Sequence, residues 1–206
     1  MMKVLIVTGG IGSGKSLVCR MLAETYSVPV YEADRRVKTL YSDLPSMLDE
    51  IEGTLGVSLK NDEGTFVPAR LADVIFSDAD ALRKVEDIVF PRLKDDFSRW
   101  AQEQKKDVVA FESATVLEKS QFDGFGDIVL LVDAPKEMRL ERACSRDGQD
   151  EEKIKGRMAA QLLMNLLSDG GDCQRVDHTI LNVGSVDDLR VKVADFMEKY
   201  GLTKML

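Results

Sequence analysis

Residues 8–16, TGGIGSGKS, crowd glycines ahead of a lysine and a serine. The stretch fits G-x-x-x-x-G-K-[ST] with Gly9, Gly14, Lys15 and Ser16. Glycines let the backbone curl until successive N–H groups point at anionic oxygens, and a helix N-terminus adds partial positive charge. The spacing therefore predicts a phosphate-binding loop in which Lys15 reaches the terminal phosphates of ATP and the Ser16 hydroxyl ligates Mg²⁺.

The flanks of the loop support this prediction. The apolar run KVLIVT precedes it and the amphipathic stretch KSLVCRMLAETY follows it, which predicts a strand and a helix. A dinucleotide-binding fingerprint fails, because a G-x-G beginning at Gly10 puts Lys15 where the third glycine belongs. We expect the phosphates to contact the loop residues Gly10, Ile11, Gly12, Ser13 and Gly14.

Transfer of a phosphoryl group to a hydroxyl also needs a carboxylate that accepts the hydroxyl proton. Asp34 follows the second apolar run, VPVYEA, with Glu32 just before it. Ligands of parallel sheets gather beyond the carboxyl ends of the strands, so Asp34 is our candidate base. The alternative is that Asp34 only caps the helix that begins RRVKTLY.

A cationic face is predicted on the helix APKEMRLERACSRD. At 100° per residue, Arg139, Arg142 and Arg146 lie within about 60° of one another. We predict phosphate contacts for Arg142 and Arg146, and a solvated or carboxylate-paired role for Arg139.

Three further carboxylates are candidates. Asp133 is predicted to cap the helix that follows it, with a magnesium-associated role as the alternative. Glu112 and Glu118 flank the end of the third apolar run and could equally belong to a substrate site or to the scaffold.

Five apolar runs must position these residues. They cover 3–8, 28–33, 107–112, 127–133 and 177–183, and each is nearly continuous rather than alternating, as in strands buried on both faces. Helical patterns separate them, including one expected between the third and fourth runs. The chain is predicted to form a three-layer α/β fold with a five-stranded, mostly parallel sheet.

Two helical excursions interrupt the rhythm. Residues 40–104 are predicted to form a helical insert, and the charge-rich stretch 134–168 a mobile cover. Residues 1–39, 105–133 and 169–206 would then make the nucleotide-binding core.

Composition and missing motifs narrow the function. The net charge of −8 argues against nucleic-acid binding. No run approaches the length of a membrane span, and three scattered cysteines indicate neither disulfides nor a metal site, so we expect a reducing cytoplasm. An N-K-x-D sequence, typical of guanine-nucleotide switches, is lacking; DGFG (123–126) is interpreted as a turn and His178 as structural.

Taken together, the sequence resembles the dephospho-CoA kinase family from Lys3 to about Tyr200. The resemblance rests on TGGIGSGKS with its leading Thr8 and on VYEAD, RLADVIF, RLERACSRD, RMAAQ and DHTILN. It implies a P-loop nucleoside triphosphate hydrolase fold and transfer of phosphate from ATP to the ribose 3′-hydroxyl of dephospho-CoA. It also implies that the helical insert 40–104 binds the substrate and that 134–168 is a lid. A monomer or a small homo-oligomer would fit.

The resemblance also implies roles for individual residues. Asp34 would take the hydroxyl proton, Lys15 and Arg142 would stabilise the γ-phosphoryl group, and Arg146 would close over the phosphates. Contacts to the acceptor would come from Thr8, Asp34 and Glu118.

The chain departs from the family pattern at Glu32, at Phe90 and at ATVLE (114–118), which affects the expected contacts to the CoA moiety. A nucleoside or nucleoside-monophosphate kinase is the alternative enzyme. A nucleotide-responsive switch without transferase activity is the alternative of another class.

Overall fold

The protein is described by a computed structural model that covers residues 2–147, 150–168, 171 and 173–202. The chain divides into two compact units. The first comprises Met1–Glu32 and Gln104–Leu206, and the second comprises Ala33–Glu103.

A five-stranded sheet forms the centre of the first unit. All of its described pairings are parallel and the strand order is β2-β3-β1-β4-β5. The strands are β1 (Lys3–Thr8), β2 (Val30–Glu32), β3 (Val108–Glu112), β4 (Ile128–Asp133) and β5 (His178–Leu181). Each lies within one of the five apolar runs, so the predicted parallel α/β fold is confirmed.

Burial on both faces of the sheet explains why these runs are continuously apolar. Leu5 and Val7 of β1 pack in one core with the helices α1 (Lys15–Tyr26) and α9 (Val186–Lys199). Ile6 between them is also buried, and successive strand residues point to opposite faces.

Three helices fill the charge-rich stretch between β4 and β5. They are α6 (Lys136–Asp147), α7 (Glu151–Ala159) and α8 (Leu162–Ser168). Ala143, Ile154 and Met158 form a small apolar cluster of their own. The lid role of 134–168 stays a prediction, and the predicted core boundary at residue 169 lies outside the described residues.

The second unit is helical. Its helices are α2 (Ala33–Asp43), α3 (Pro45–Leu55), α4 (Pro68–Ser77) and α5 (Ala79–Gln104). Prolines at the first position of α3 and α4 suit a helix start, where the missing N–H would have no partner. Its role in substrate binding stays a prediction.

Arg36 links α2 to α5 inside this unit. Arg36 donates from Nε and Nη2 to the two carboxylate oxygens of Asp96, each at 2.8 Å.

Asp78 caps the start of α5 by accepting from the N–H of Asp80 at 2.8 Å.

The prediction of a helix between β3 and β4 is wrong. Two short 3₁₀ turns, Val116–Glu118 and Ser120–Phe122, occupy this connection. Arg175 holds both turns by donating to the carbonyl oxygens of Leu117 and Phe122, each at 3.0 Å. In a helix, these carbonyl oxygens would accept hydrogen bonds from N–H groups of the same helix. Here they accept them from the guanidinium of Arg175, which is distant in sequence.

The DGFG sequence forms a turn ahead of β4, as predicted. Among the helices that the structure describes, none has the length and apolar character needed to cross a membrane.

Candidate active site

The glycine-rich loop connects β1 to α1, and three of its glycines have conformations that other residues avoid. Gly9 has φ 149°, Gly12 has φ 77° and Gly14 has φ 102°. A Cβ at Gly12 would lie 2.0 Å from the carbonyl oxygen of Arg139, and one at Gly14 would lie 2.3 Å from Nδ2 of Asn182. Arg139 and Asn182 thus lie closer to the loop than a side chain at these two positions would permit.

The loop is held by hydrogen bonds on both sides. Ser13 N–H donates to the carbonyl of Gly10 at 3.1 Å, which closes a tight turn. The Ile11 N–H donates to Oε1 of Gln161 at 2.9 Å, and Nδ2 of Asn182 donates to the carbonyl of Ser13 at 2.9 Å. These contacts fix the loop with groups that lie far away in sequence.

The N-terminus of α1 follows the turn directly. The carbonyl of Gly14 accepts from the N–H groups of Leu17 and Val18. The N–H groups of Lys15 and Ser16 belong to the first turn, where a helix provides no internal acceptor. Ser16 is exposed, so this helix end can present N–H groups and a hydroxyl to an anion and its cation.

Lys15 forms an ion pair that we did not predict. Its Nζ lies 3.4 Å from Oε1 of Glu112, and only 11% and 12% of the two side chains are exposed. Since β3 is adjacent to β1, with Glu112 opposite Val7, the last carboxylate of β3 lies beside the loop.

The buried thiol of Cys19 lies near this pair. Burial raises the pKa of the Cys19 thiol far above its usual range, and the Glu112 carboxylate adds to the effect. The thiol therefore stays protonated and is a packing group rather than a nucleophile.

The three arginines of α6 have different environments. Arg139 is fully buried, with Nη1 3.4 Å from Oδ1 of Asp133. Of the two roles expected for Arg139, the carboxylate-paired one is confirmed and the solvated one is wrong. Arg142 is half-buried and donates to the carbonyl of Asn182 at 3.1 Å, whereas Arg146 is exposed.

The capping role predicted for Asp133 is wrong, and so is the capping alternative for Asp34. The helix after β4 begins at Lys136, so Asp133 lies too early to cap it and instead faces Arg139. Asp34 does not precede α2 but is its second residue, because α2 begins at Ala33.

Asp34 belongs to the second unit and is exposed in the first turn of α2. Only Ala33 separates it from Glu32, the end of β2. Its role as a base stays a prediction.

The remaining candidates are Thr8, which is buried, and Glu118, which binds a backbone N–H group. Thr8, at the end of β1, is fully buried, and its hydroxyl has no hydrogen-bond partner among the described residues. Glu118 accepts from the N–H of Leu163 at 3.3 Å, in the first turn of α8. Burial raises the pKa of the Glu118 carboxyl. Their roles in substrate binding stay predictions.

His178 has the structural setting that we expected. It begins β5, and its ring packs against Phe196 at 5.3 Å and Tyr200 at 5.8 Å between centroids.

A glycine-rich loop between β1 and α1, on a parallel sheet in this strand order, defines a P-loop α/β protein. Solved structures agree on the fold. A crystal structure of a Thermus thermophilus protein has a TM-score of 0.77 at 27% identity and covers 96% of this chain and 97% of that one. Dephospho-CoA kinase from Campylobacter jejuni has a TM-score of 0.63 at 21% identity, with 97% and 98% covered.

Sequence comparison gives the family. The family model described as dephospho-CoA kinase matches residues 3–188. A Porphyromonas gingivalis protein named dephospho-CoA kinase is 42% identical over 176 residues, covering 85% of this chain and 84% of that protein. The chain belongs to the dephospho-CoA kinase family.

Proposed function

We propose that this protein transfers the γ-phosphoryl group of ATP to the ribose 3′-hydroxyl of dephospho-CoA, giving ADP and coenzyme A. The observation that carries the proposal is the phosphate loop itself. At its glycines, atoms of other residues lie where a Cβ would clash. Lys15 follows at the start of α1. Membership of the dephospho-CoA kinase family supports dephospho-CoA as the acceptor.

The loop and its cations would bind the triphosphate. Backbone N–H groups at the start of α1 and the ammonium of Lys15 neutralise phosphate oxygens. Arg142 adds a guanidinium beside the γ-phosphoryl group, and Arg146 lies one turn further along α6. An arginine that acts on transition-state charge raises the rate about 10³ to 10⁵-fold. The corresponding free energy is far larger than what an exposed ion pair contributes to stability.

The acceptor hydroxyl must lose a proton as its oxygen attacks the γ-phosphorus. We assign that proton to the carboxylate of Asp34, which would act as the general base. The bond from the γ-phosphorus to the bridging oxygen breaks, and ADP leaves with the electron pair.

The residues present fit Mg²⁺. This ion binds proteins through one or two oxygen ligands and keeps several waters and substrate phosphates. The exposed Ser16 hydroxyl is such a ligand, and the Glu112 carboxylate lies in the same unit beside Lys15. When bound, the ion neutralises charge on the β- and γ-phosphates.

An acceptor assay tests the proposal. ADP release is measured with dephospho-CoA, AMP, dAMP or dTMP as the acceptor at equal concentrations. We expect turnover with dephospho-CoA to exceed that with each nucleotide by at least about a hundredfold, since a site built for one acceptor leaves groups unpaired with another. Turnover of a nucleotide without turnover of dephospho-CoA would overturn the proposal in favour of a nucleotide kinase.

Replacement of the proposed base separates a kinase from a nucleotide-responsive switch. Asp34→Asn should lower kcat by about 10² to 10⁴-fold, the usual contribution of a general base, while the Kd for ATP stays within about twofold. Asp62→Asn, at an exposed carboxylate of the same unit, is the matched control and should keep full activity. Equal activity of Asp34→Asn and wild type would contradict the assignment.

A further inference from the structure

Gln161 contacts the phosphate loop from outside its sequence motif. It lies between α7 and α8, is only 6% exposed, and accepts the Ile11 N–H at 2.9 Å. The two residues are 150 positions apart in the chain.

The contact fixes one complete peptide group of the loop. The Gly10–Ile11 peptide has its N–H bound by Gln161, and its carbonyl accepts from Ser13 at 3.1 Å. Because a peptide group is planar, holding both of its ends sets the orientation of the whole plane. The side chain of Ile11 also packs against the apolar cluster of α6 and α7.

The segment that presents Gln161 is itself well fixed. The N–H of Gln161 donates to the carbonyl of Met158 at 3.1 Å, and its carbonyl accepts from Asn165 at 3.0 Å. Two residues later, the carboxylate of Glu118 accepts the N–H of Leu163. An acceptor held in this way loses little conformational entropy when it binds the loop.

A second side-chain amide fixes the far end of the same turn. Asn182 donates to the carbonyl of Ser13, so the trans peptide directs the N–H of Gly14 to the opposite side. The turn 10–13 is thus held at Ile11 and at Ser13, and the N–H of Gly14 points away from Asn182.

We propose that Gln161 is a positioning residue that holds the turn 10–13 in its phosphate-binding form before nucleotide arrives. The inference rests on the proposed function, since it assigns a task within the same ATP site. Without the Gln161 acceptor, the Gly10–Ile11 peptide can rotate, and nucleotide must then restore its orientation at the expense of affinity.

The test replaces Gln161 with methionine, which has similar length and no strong acceptor. In Gln161→Met we expect the Kd and KM for ATP to rise about tenfold, equivalent to about 1.4 kcal/mol. The KM for dephospho-CoA and kcat at saturating ATP should stay within about twofold, because the loop reaches the same form once ATP is bound.

Asn165→Ala is the matched control. The Asn165 side chain donates to the carbonyls of Met158 and Ala159 in the same segment and is half-buried. This variant loosens the α7–α8 connection without removing the Gln161 acceptor, so its KM for ATP should stay near that of wild type. An equal rise in both variants would overturn the proposal in favour of a general structural role.

Amide hydrogen exchange tests the hydrogen bond directly in the wild-type protein. Without nucleotide, the Ile11 amide should exchange at least about tenfold more slowly than the Gly14 amide, and ATP should protect Gly14. An Ile11 amide that exchanges as fast as Gly14 in the nucleotide-free protein would overturn the proposal, even if Gln161→Met failed to fold.

These results are separable from failure of the proposed function. Exchange and calorimetric ATP binding need no acceptor, so they assess Gln161 even if dephospho-CoA is not phosphorylated. Unchanged ATP affinity in folded Gln161→Met would overturn the role of Gln161 and leave the acceptor assay untouched.

Discussion

Gly12 shows how a single residue determines whether the phosphate loop can form. Its φ of 77° is unfavourable for residues with a Cβ, and the backbone of Arg139 fills the space that a Cβ would need. Gly12→Ala should therefore weaken ATP binding by at least about tenfold, since a strained left-handed residue alone costs about 1–2 kcal/mol. Calorimetric titration with Mg-ATP measures the change.

Gly53→Ala is the control for this prediction. Gly53 lies within α3, has no neighbour within 4 Å of an added Cβ, and has no positive φ. The change should leave ATP affinity unchanged and raise stability by about 0.5–1 kcal/mol through helix propensity. Wild-type affinity in Gly12→Ala would contradict the steric argument.

The sequence predicted the loop residues that carry a local motif, but not which residues distant in sequence contact them. Gly9 to Ser16 form one contiguous pattern, so their loop was predictable. Glu112, Gln161 and Asn182 contact that loop through strand order and through the α7–α8 connection. The sequence contained Gln161 and Asn182 in recognisable stretches, RMAAQ and DHTILN, but gave no sign of their partners.

At the scale of elements, continuous apolar runs located all five strands, because strands buried on both faces need no polar alternation. The strand order was not predictable, since the runs are chemically alike. The connection between β3 and β4 was mispredicted for a related reason. Its two turns depend on Arg175, more than fifty residues away from Leu117, and local propensity does not contain that contact.

The contact between α2 and α5 supports a prediction on stability. Arg36 forms a two-pronged pair with Asp96, whose side chain is only 12% exposed. In Arg36→Gln the Asp96 carboxylate loses both charged hydrogen bonds, so the free energy of unfolding should fall by about 1–3 kcal/mol. Urea denaturation followed by circular dichroism measures the loss.

Arg83→Gln provides the comparison within the same unit. Arg83 pairs with Asp80 three residues earlier in α5, and 69% of its side chain is exposed. Exposed pairs contribute little, so this variant should stay within about 0.5 kcal/mol of wild type. Equal losses in the two variants would contradict the argument from burial and geometry.

For the whole molecule, charge is distributed in a way that suits a small anionic ligand. The chain carries a net charge of −8, yet Lys15 and the helix N-terminus place positive charge at the loop. A net negative charge opposes a long polyanion, whereas a triphosphate needs only the local positive end.

The stability of the whole molecule should also depend on pH through His178, the only histidine of the chain. Burial lowers the pKa of His178 below its ordinary value of 6.5, and the nearby Lys199 lowers it further. Between the folded and unfolded pKa values the unfolded chain binds more protons. The free energy of unfolding should therefore fall as pH decreases from about 6.5 toward the folded pKa.

His178→Phe keeps an aromatic ring beside Phe196 and Tyr200 but removes the titration. Urea unfolding between about pH 5 and 7 should give a smaller loss of stability on acidification in this variant than in wild type. A proton NMR titration of the single imidazole tests the cause, and Lys199→Gln should move the pKa of His178 upward by removing a nearby positive charge. A wild-type pKa at or above 6.5 would show that burial against α9 does not disfavour the charged ring, and the expected acid sensitivity would lose its basis.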